Sequence, residues 1–303
     1  MYFLDGRSQD DIARVLETSR SNVSRMLGAA RSLGIVEIRI QDEGGRDADL
    51  EQALAARFDL MCVRVAAFRP HQDAPAATAV LAAQWLDDTL RDGQVLAVST
   101  GTSLQAVVAA VVVERSRRVE VVPLVGGLAS DASLDAGQEL VCDLAARLGA
   151  TYRYLYGPAL LRSESARDAL LAEPSIGQIV ARARAADIAL VGIGTFDSGS
   201  SSEVLDGLGL TGWQRGAFLS QGPVGDMCCR FFDGAGRAIR GTVHDRVLAV
   251  DLEDLRRIPA VIGVATGSEK TAGVLAALRG RLVNGLITDA CLAHSILTAD
   301  GLL

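Results

Sequence analysis

The sequence predicts an α/β protein in two parts: a small N-terminal winged helix-turn-helix over residues 1–40 and a mainly parallel α/β domain over 50–303, joined by a linker at 41–49. Three observations predict it. Two short amphipathic helical patterns and an alternating segment open the chain; helical stretches alternate with apolar runs from Leu50 onward; several of those runs end in glycine loops.

The first forty residues come first. In "SQDDIARVLETSRSNVSRMLGAARSLGIVEIRI", Ser8 and Asp11 have the spacing of a capping box, opening a helix with Ile12, Ala13 and Leu16 on its apolar face. Glu17-Thr18 is a break, and Ser19 caps a second helix that turns Val23, Met26, Leu27 and Ala30 inward. Small Ala13 lets the two helices cross closely, which is the sequence form of a helix-turn-helix. Gln9 and the polar face of the second helix (Arg20, Ser21, Asn22, Ser24 and Arg25) are the candidate DNA contacts, able to reach base edges and phosphates of double-stranded DNA. Gly34 ends that helix, and "IVEIRI" alternates as the strand of a wing. Such a domain needs a preceding helix to close its core. Only "MYFLDG" is available, with Tyr2, Phe3 and Leu4 as its tail, so the expectation is a start further upstream or an incomplete domain.

Composition narrows the rest. With 49% apolar and 22% charged residues, the chain can bury a sizeable core. Its net charge of −7 argues against nonspecific nucleic-acid binding by the whole chain, but residues 1–40 carry six arginines against five acids. A DNA-reading part is therefore small and local. No apolar run is long enough for a membrane span, and the acidic N-terminus has no signal-peptide core. Cys62, Cys142, Cys228, Cys229 and Cys291 form no CxxC pair and no metal-like spacing, which fits buried free thiols in a reducing cytoplasm and no metal site.

The strands of the second part read as "MCVRVAAF", "QVLAVST", "VEVVPLVGG", "YRYLYGPAL", "DIALVGIGTF", "RVLAVDL" and "AVIGVATG", with helices at 75–91, 103–113, 136–148 and 270–280 between them. In a parallel sheet of this kind, ligands sit off the carboxyl ends of the strands. Four runs end there in small or polar groups: "STGTS" with Ser99, Gly101, Thr102 and Ser103; Gly126-Gly127; "GIGTF"; and "ATGSEK". Gly101 lets the backbone approach a ligand, while Thr102 and Ser103 offer hydroxyls and amides to an anion. Lys270 is the single lysine among 30 basic residues, and it opens a helix, where the backbone favours anions over cations. These features converge on a small anionic ligand. GxxxxGK[ST] does not occur, and no GxGxxG follows an apolar strand, so no dinucleotide or nucleotide cofactor is expected.

With "SQDDIARVLETSRSNVSRML", "VVPLVGG", "ELVCDLAARLGA", "GPVGDMCCRFFDGAG", "VIGVATGSEK" and "LVNGLITDACLA" in place, the whole chain resembles the SorC/DeoR-type bacterial transcriptional regulators with a sugar-binding domain. The resemblance implies an effector domain similar in fold to glucosamine-6-phosphate deaminase and ribose-5-phosphate isomerase. It also implies a homo-oligomer, dimer or tetramer, that binds an operator and responds to a sugar or sugar phosphate. On this chain the phosphate loop falls on Gly101, Thr102 and Ser103, the family lysine on Lys270 and the strand-end aspartate on Asp289. Thr100 stands where a tryptophan is frequent, Gln138 replaces a usual asparagine and Ala290 a usual glutamate, which bears on the identity of the sugar. The competing reading is a sugar-phosphate isomerase or deaminase using Asp226 or Asp289 as acid/base. It is disfavoured, because His71, His244 and His294 fall in no site loop and the N-terminal helices have no role in such an enzyme. Both aspartates then orient loops or bond sugar hydroxyls.

Overall fold

The computed structural model describes residues 1–2, 6–32, 45–68, 73–113, 116–128, 136–196 and 200–301. The chain divides into two units, Met1–Glu43 and Gly44–Leu303. In the small unit, α1 (Gln9–Val15) and α2 (Arg20–Ser32) form where the capping residues start them. The Ser8 hydroxyl accepts the Asp11 N–H at 3.1 Å, and the Ser19 hydroxyl accepts the Asn22 N–H at 3.2 Å. Ile12, Ala13 and Val23 make a compact core with Tyr2 and Leu27 against them. Leu16 and Met26, expected inside, are exposed. α1 stops at Val15, and Glu17 turns the chain at φ +48°, so Leu16 leaves the apolar stripe. Met26 lies at the margin of a stripe that Val23 and Leu27 occupy at i and i+4. Gly34 and "IVEIRI" lie outside the described residues.

The large unit starts earlier than the linker reading implies. Arg46 bridges Ala66, and Asp47 caps α3 (Ala48–Phe58) through the Leu50 N–H. There follow β1 (Cys62–Ala66), α4 (Ala74–Thr89), β2 (Val95–Val98), α5 (Thr102–Ala110), β3 (Glu120–Pro123), α6 (Ala136–Leu148) and β4 (Thr151–Tyr152). Next come α7 (Glu164–Ala172), α8 (Pro174–Arg184), β5 (Ile188–Gly192), β6 (Gly194–Thr195), α9 (Ser200–Gly207), α10 (Gly212–Leu219), β7 (Gly225–Met227) and β8 (Arg230–Phe232). The chain closes with α11 (Thr242–Asp245), α12 (Leu252–Leu255), β9 (Ala260–Val264), α13 (Thr271–Arg279), β10 (Gly285–Asp289) and α14 (Ala290–Ala299). Seven strands form one sheet in the order β1-β10-β9-β5-β2-β3-β4, and every pair in it is parallel. Successive residues of β2 go to opposite cores: Val95 and Ala97 to one, Leu96 and Val98 to the other. Both faces are therefore covered, which is why the strand reads as a continuous apolar run.

Two expected strands are not strands. "YRYLYGPAL" belongs to a strand only at Tyr152, since Gly157 and Pro158 break it, and then makes isolated bridges, Pro158 with Gly127 and Leu160 with Val247. "RVLAVDL" makes only isolated bridges, Val247 with Leu160 and Ala249 with Val125. The carbonyls of His244, Val247 and Ala249 accept instead from the Arg230 guanidinium, a side chain 4% exposed that also pairs with Asp251 at 3.0 Å. Arginine, with five fixed donors, can hold an irregular segment in this way. The β7–β8 hairpin went unread because its turn residues are Cys228 and Cys229, both at positive φ (+53° and +59°), where Asn-Gly is the usual signal. Burial pushes the Cys228 thiol up to about 12, so these two cysteines are inert packing groups; Cys291, by contrast, is exposed.

His244 sits beside Arg230. Its Nε2 lies 2.6 Å from Arg240 Nη1, so it accepts and the ring is neutral. Burial, then the Arg230 charge, pulls its pKa from 6.5 to about 4, against the opposing pull of Asp251 and Asp245. Protonation must therefore destabilise the fold: the contribution of the neutral ring is complete above about pH 6.5 and is lost as pH falls toward 4. The thermal midpoint of the parent is expected to drop over this window by more than that of His244→Gln, as read by circular dichroism melts at half-unit pH steps.

Candidate functional site

The carboxyl ends of the seven strands share one edge, and β5 lies there between β2 and β9. Ser99, just past β2, ties this edge together: its hydroxyl accepts the Gly192 N–H at 3.1 Å and its N–H donates to Leu190 O at 3.0 Å. Gly101 then turns at φ +134°, a conformation that glycine alone adopts readily, and sets Thr102 and Ser103 in the open first turn of α5. On the other side, Gly267 (φ +91°) starts the loop that carries Lys270. Its N–H donates to Asp289 Oδ2 at 2.7 Å, while Asp289 Oδ1 accepts the Leu292 N–H at 3.0 Å and caps α14. Asp289 is thus the post to which the lysine loop is fastened.

Lys270 reaches across β5. Its Nζ donates to Ser103 Oγ at 3.4 Å, a long bond, and among the described residues no carboxylate comes within ion-pair distance of it. Burial lowers its pKa, opposed by the charges of Glu269, Asp289 and Asp226. Beside it opens a cavity of about 370 Å³ whose polar lining is Thr78, Thr102, Ser103, Thr266, Glu269 and Lys270. Of these, Thr78, Thr266 and Glu269 were not singled out from sequence. Thr266 and Glu269 stand inside the quoted "ATGSEK"; Thr78 lies in an alanine-rich helix that carries no signal.

Asp226, Gln138, Gly126 and Gly127 are not among the residues that line this cavity. Asp226, buried in β7, takes the Ser201 hydroxyl and the Cys229 N–H; burial raises its pKa, against these bonds and the Lys270 charge. Gln138 Oε1 accepts the Leu155 N–H at 3.1 Å, and its buried Nε2 has no partner among the described residues. Gly126 and Gly127 bond Leu248 and the 157–159 segment, and a Cβ on Gly126 would come within 2.7 Å of Gly157 O. In the small unit, Arg20, Ser21, Ser24 and Arg25 are exposed along α2, with Gln9 half-buried at the start of α1. Asn22 is partly withdrawn, because its amide donates to Thr18 Oγ1 at 2.9 Å. Of the three histidines, His244 and His294 do not line the cavity, and His71 lies outside the described residues.

The fold and the site define a class: an α/β domain with a hydroxyl-lined cavity at the carboxyl edge of a parallel sheet. The chain belongs to the Sugar-bind family of sugar-binding domains, whose profile matches residues 42–298, and it is a transcriptional regulator of the SorC/DeoR type. It is 31% identical over 304 residues to transcriptional regulator LsrR of Enterobacter sp. (strain 638), covering 99% of this chain and 91% of that protein. It is 30% identical over 299 residues to the deoxyribonucleoside regulator of Bacillus subtilis (strain 168), covering 98% and 94%. The crystal structure of the full-length sorbitol operon regulator SorC from Klebsiella pneumoniae superposes with a TM-score of 0.80 at 29% identity, covering 98% of this chain and 95% of that one. No helix among the described residues is long and apolar enough to cross a membrane.

Asp289→Ala removes both the α14 cap and the anchor of Gly267. A loss of about 2 kcal/mol of stability is expected, from a cap worth about 1 kcal/mol and a charge-assisted bond of similar size. Urea denaturation reads it, and Asp289→Asn should recover about half.

Proposed function

We propose that this protein binds double-stranded operator DNA through α1 and α2, and that a phosphorylated sugar in the Lys270 cavity controls that binding. The observation that carries the reading is a half-buried ammonium with no carboxylate within ion-pair distance among the described residues, reaching from one loop to the hydroxyl of another beside an open, hydroxyl-lined cavity. A buried cation without a counter-ion is costly. A phosphate between Lys270, Ser103, Thr102 and the free amides of α5 removes that cost and is favoured by the helix end. Gln138 Nε2, buried and without a partner among the described residues, is a further candidate donor. The α1–α2 pair is read as a helix-turn-helix, winged by the segment after Gly34, with Arg20, Ser21, Ser24 and Arg25 toward the major groove and Gln9 toward the backbone. Such motifs read half-sites in pairs, so a homo-oligomer, dimer or tetramer, belongs to the reading. An isomerase or deaminase on a related fold is the second reading, and no histidine supports it among the described residues that line the cavity.

A thermal-shift screen of sugar phosphates against their unphosphorylated forms tests the ligand class, since a ligand selective for the folded state raises its apparent stability. Lys270→Ala should weaken the phosphorylated ligand by about one to two decades, the equivalent of one charge-assisted contact, and leave effector-free DNA binding intact. Calorimetry that shows parent-like affinity in the variant would remove Lys270 from the site. On the DNA side, Arg25→Ala is expected to cost about 1–3 kcal/mol on operator fragments in mobility-shift assays if it reads a base. Asn22→Ala should lower the melting temperature of the small unit as well, because its amide also closes the turn at Thr18.

A further inference from the structure

The charges that line the Lys270 cavity are few and opposed. Lys270 is the only cation among its described lining residues, and the neighbouring Glu269 puts a carboxylate on the same wall. Two more carboxylates, Asp289 and Asp226, act on the same ammonium from beneath the loop and from the small sheet. The remaining polar lining is neutral: the hydroxyls of Thr78, Thr102, Ser103 and Thr266. Glu269 is exposed and folds back over Gly267, so its charge faces whatever enters beside Lys270.

A phosphate monoester carries about −1.5 to −2 at neutral pH. One such group can be met by the ammonium, the hydroxyls and the open amides of α5. A second group on the same ligand finds no second cation in this lining and is repelled by Glu269. Discrimination between ligands is achieved as much by an unfavourable charge against the wrong one as by contacts to the right one. Resting on the sugar-phosphate reading above, we infer that the cavity selects ligands with a single phosphate group over those with two, and that Glu269 is the residue that enforces the selection.

The test uses the full chain and matched probes: inorganic phosphate against pyrophosphate, and fructose 6-phosphate and glucose 6-phosphate against their 1,6-bisphosphates, by thermal shift and calorimetry. The parent is expected to bind the singly phosphorylated member of each pair at least about fivefold more tightly. Raising the salt should narrow that gap, because an exposed carboxylate is screened. Glu269→Gln should strengthen the two-phosphate probes several-fold and the one-phosphate probes by less, so that the ratio falls. Lys270→Ala serves as the reference. If it leaves every phosphate probe unaffected, or if no probe binds the parent, the sugar-phosphate reading falls and the selection with it. If Lys270→Ala abolishes binding while the parent prefers two-phosphate probes, or while Glu269→Gln leaves the ratio unchanged, the selection is overturned and the site stands.

Discussion

Gly194, Gly225 and Gly273 meet where the small sheet of β6, β7 and β8 lies on the first turn of α13. A Cβ on Gly273 would stand 2.4 Å from Gly194 O, and one on Gly225 would stand 2.9 Å from the Gly273 Cα. The backbones touch because all three lack side chains. This contact sets how closely the hairpin approaches the helix that follows Lys270, and so how near Asp226 comes to the ammonium. A methyl group on Gly225 or Gly273 would drive the hairpin and α13 apart, and one on Gly194 would meet the Asp226 carboxylate and the Ser201 hydroxyl. Packed interiors yield little to such a change, so the displacement would pass along α13 to the lysine loop.

Two buried cations show how differently the fold uses charge. Arg230 is nearly sealed from solvent, but its two terminal nitrogens are matched by three carbonyls and Asp251, and it replaces a strand ladder over residues 244–249. Its role is complete within the protein. Lys270 is only partly sealed, and its one side-chain hydrogen bond among the described residues is a long one to Ser103. A compact ammonium on a flexible stem suits a ligand that comes and goes, whereas a planar guanidinium suits a permanent joint. The chain spends its arginines on joints and keeps its lysine for the opening.

Most of the parallel sheet was legible, because fully buried strands such as Ile188–Gly192 and Ala260–Val264 are short apolar runs bounded by glycine and polar residues. The loops after β2 and β9 were legible for the same reason, together with the isolated lysine. What escaped has physical causes. The 246–252 run is as apolar as a strand, yet two of its carbonyls, those of Val247 and Ala249, are claimed by an arginine 17 and 19 positions away, which periodicity does not register. The hairpin turn at Cys228-Cys229 carries no turn chemistry. Leu16 and Met26 fit the helical stripe by spacing and miss it by where α1 stops. Thr78 joins the cavity through tertiary packing alone, and no local pattern marks it.

The solitude of Lys270 has a practical side. Apart from the terminal amine, the protein offers one primary amine to a reagent, and it stands in the wall of the cavity. Reductive methylation with labelled formaldehyde would place two carbon nuclei on that nitrogen and, with the charge retained, give one side-chain signal beside that of the terminal amine. The position and width of that signal would follow occupancy of the cavity directly, and its titration would report the pKa of an ammonium that burial holds low. The scarcity of lysine makes the site its own reporter, with no engineered label and no crowd of surface amines to subtract.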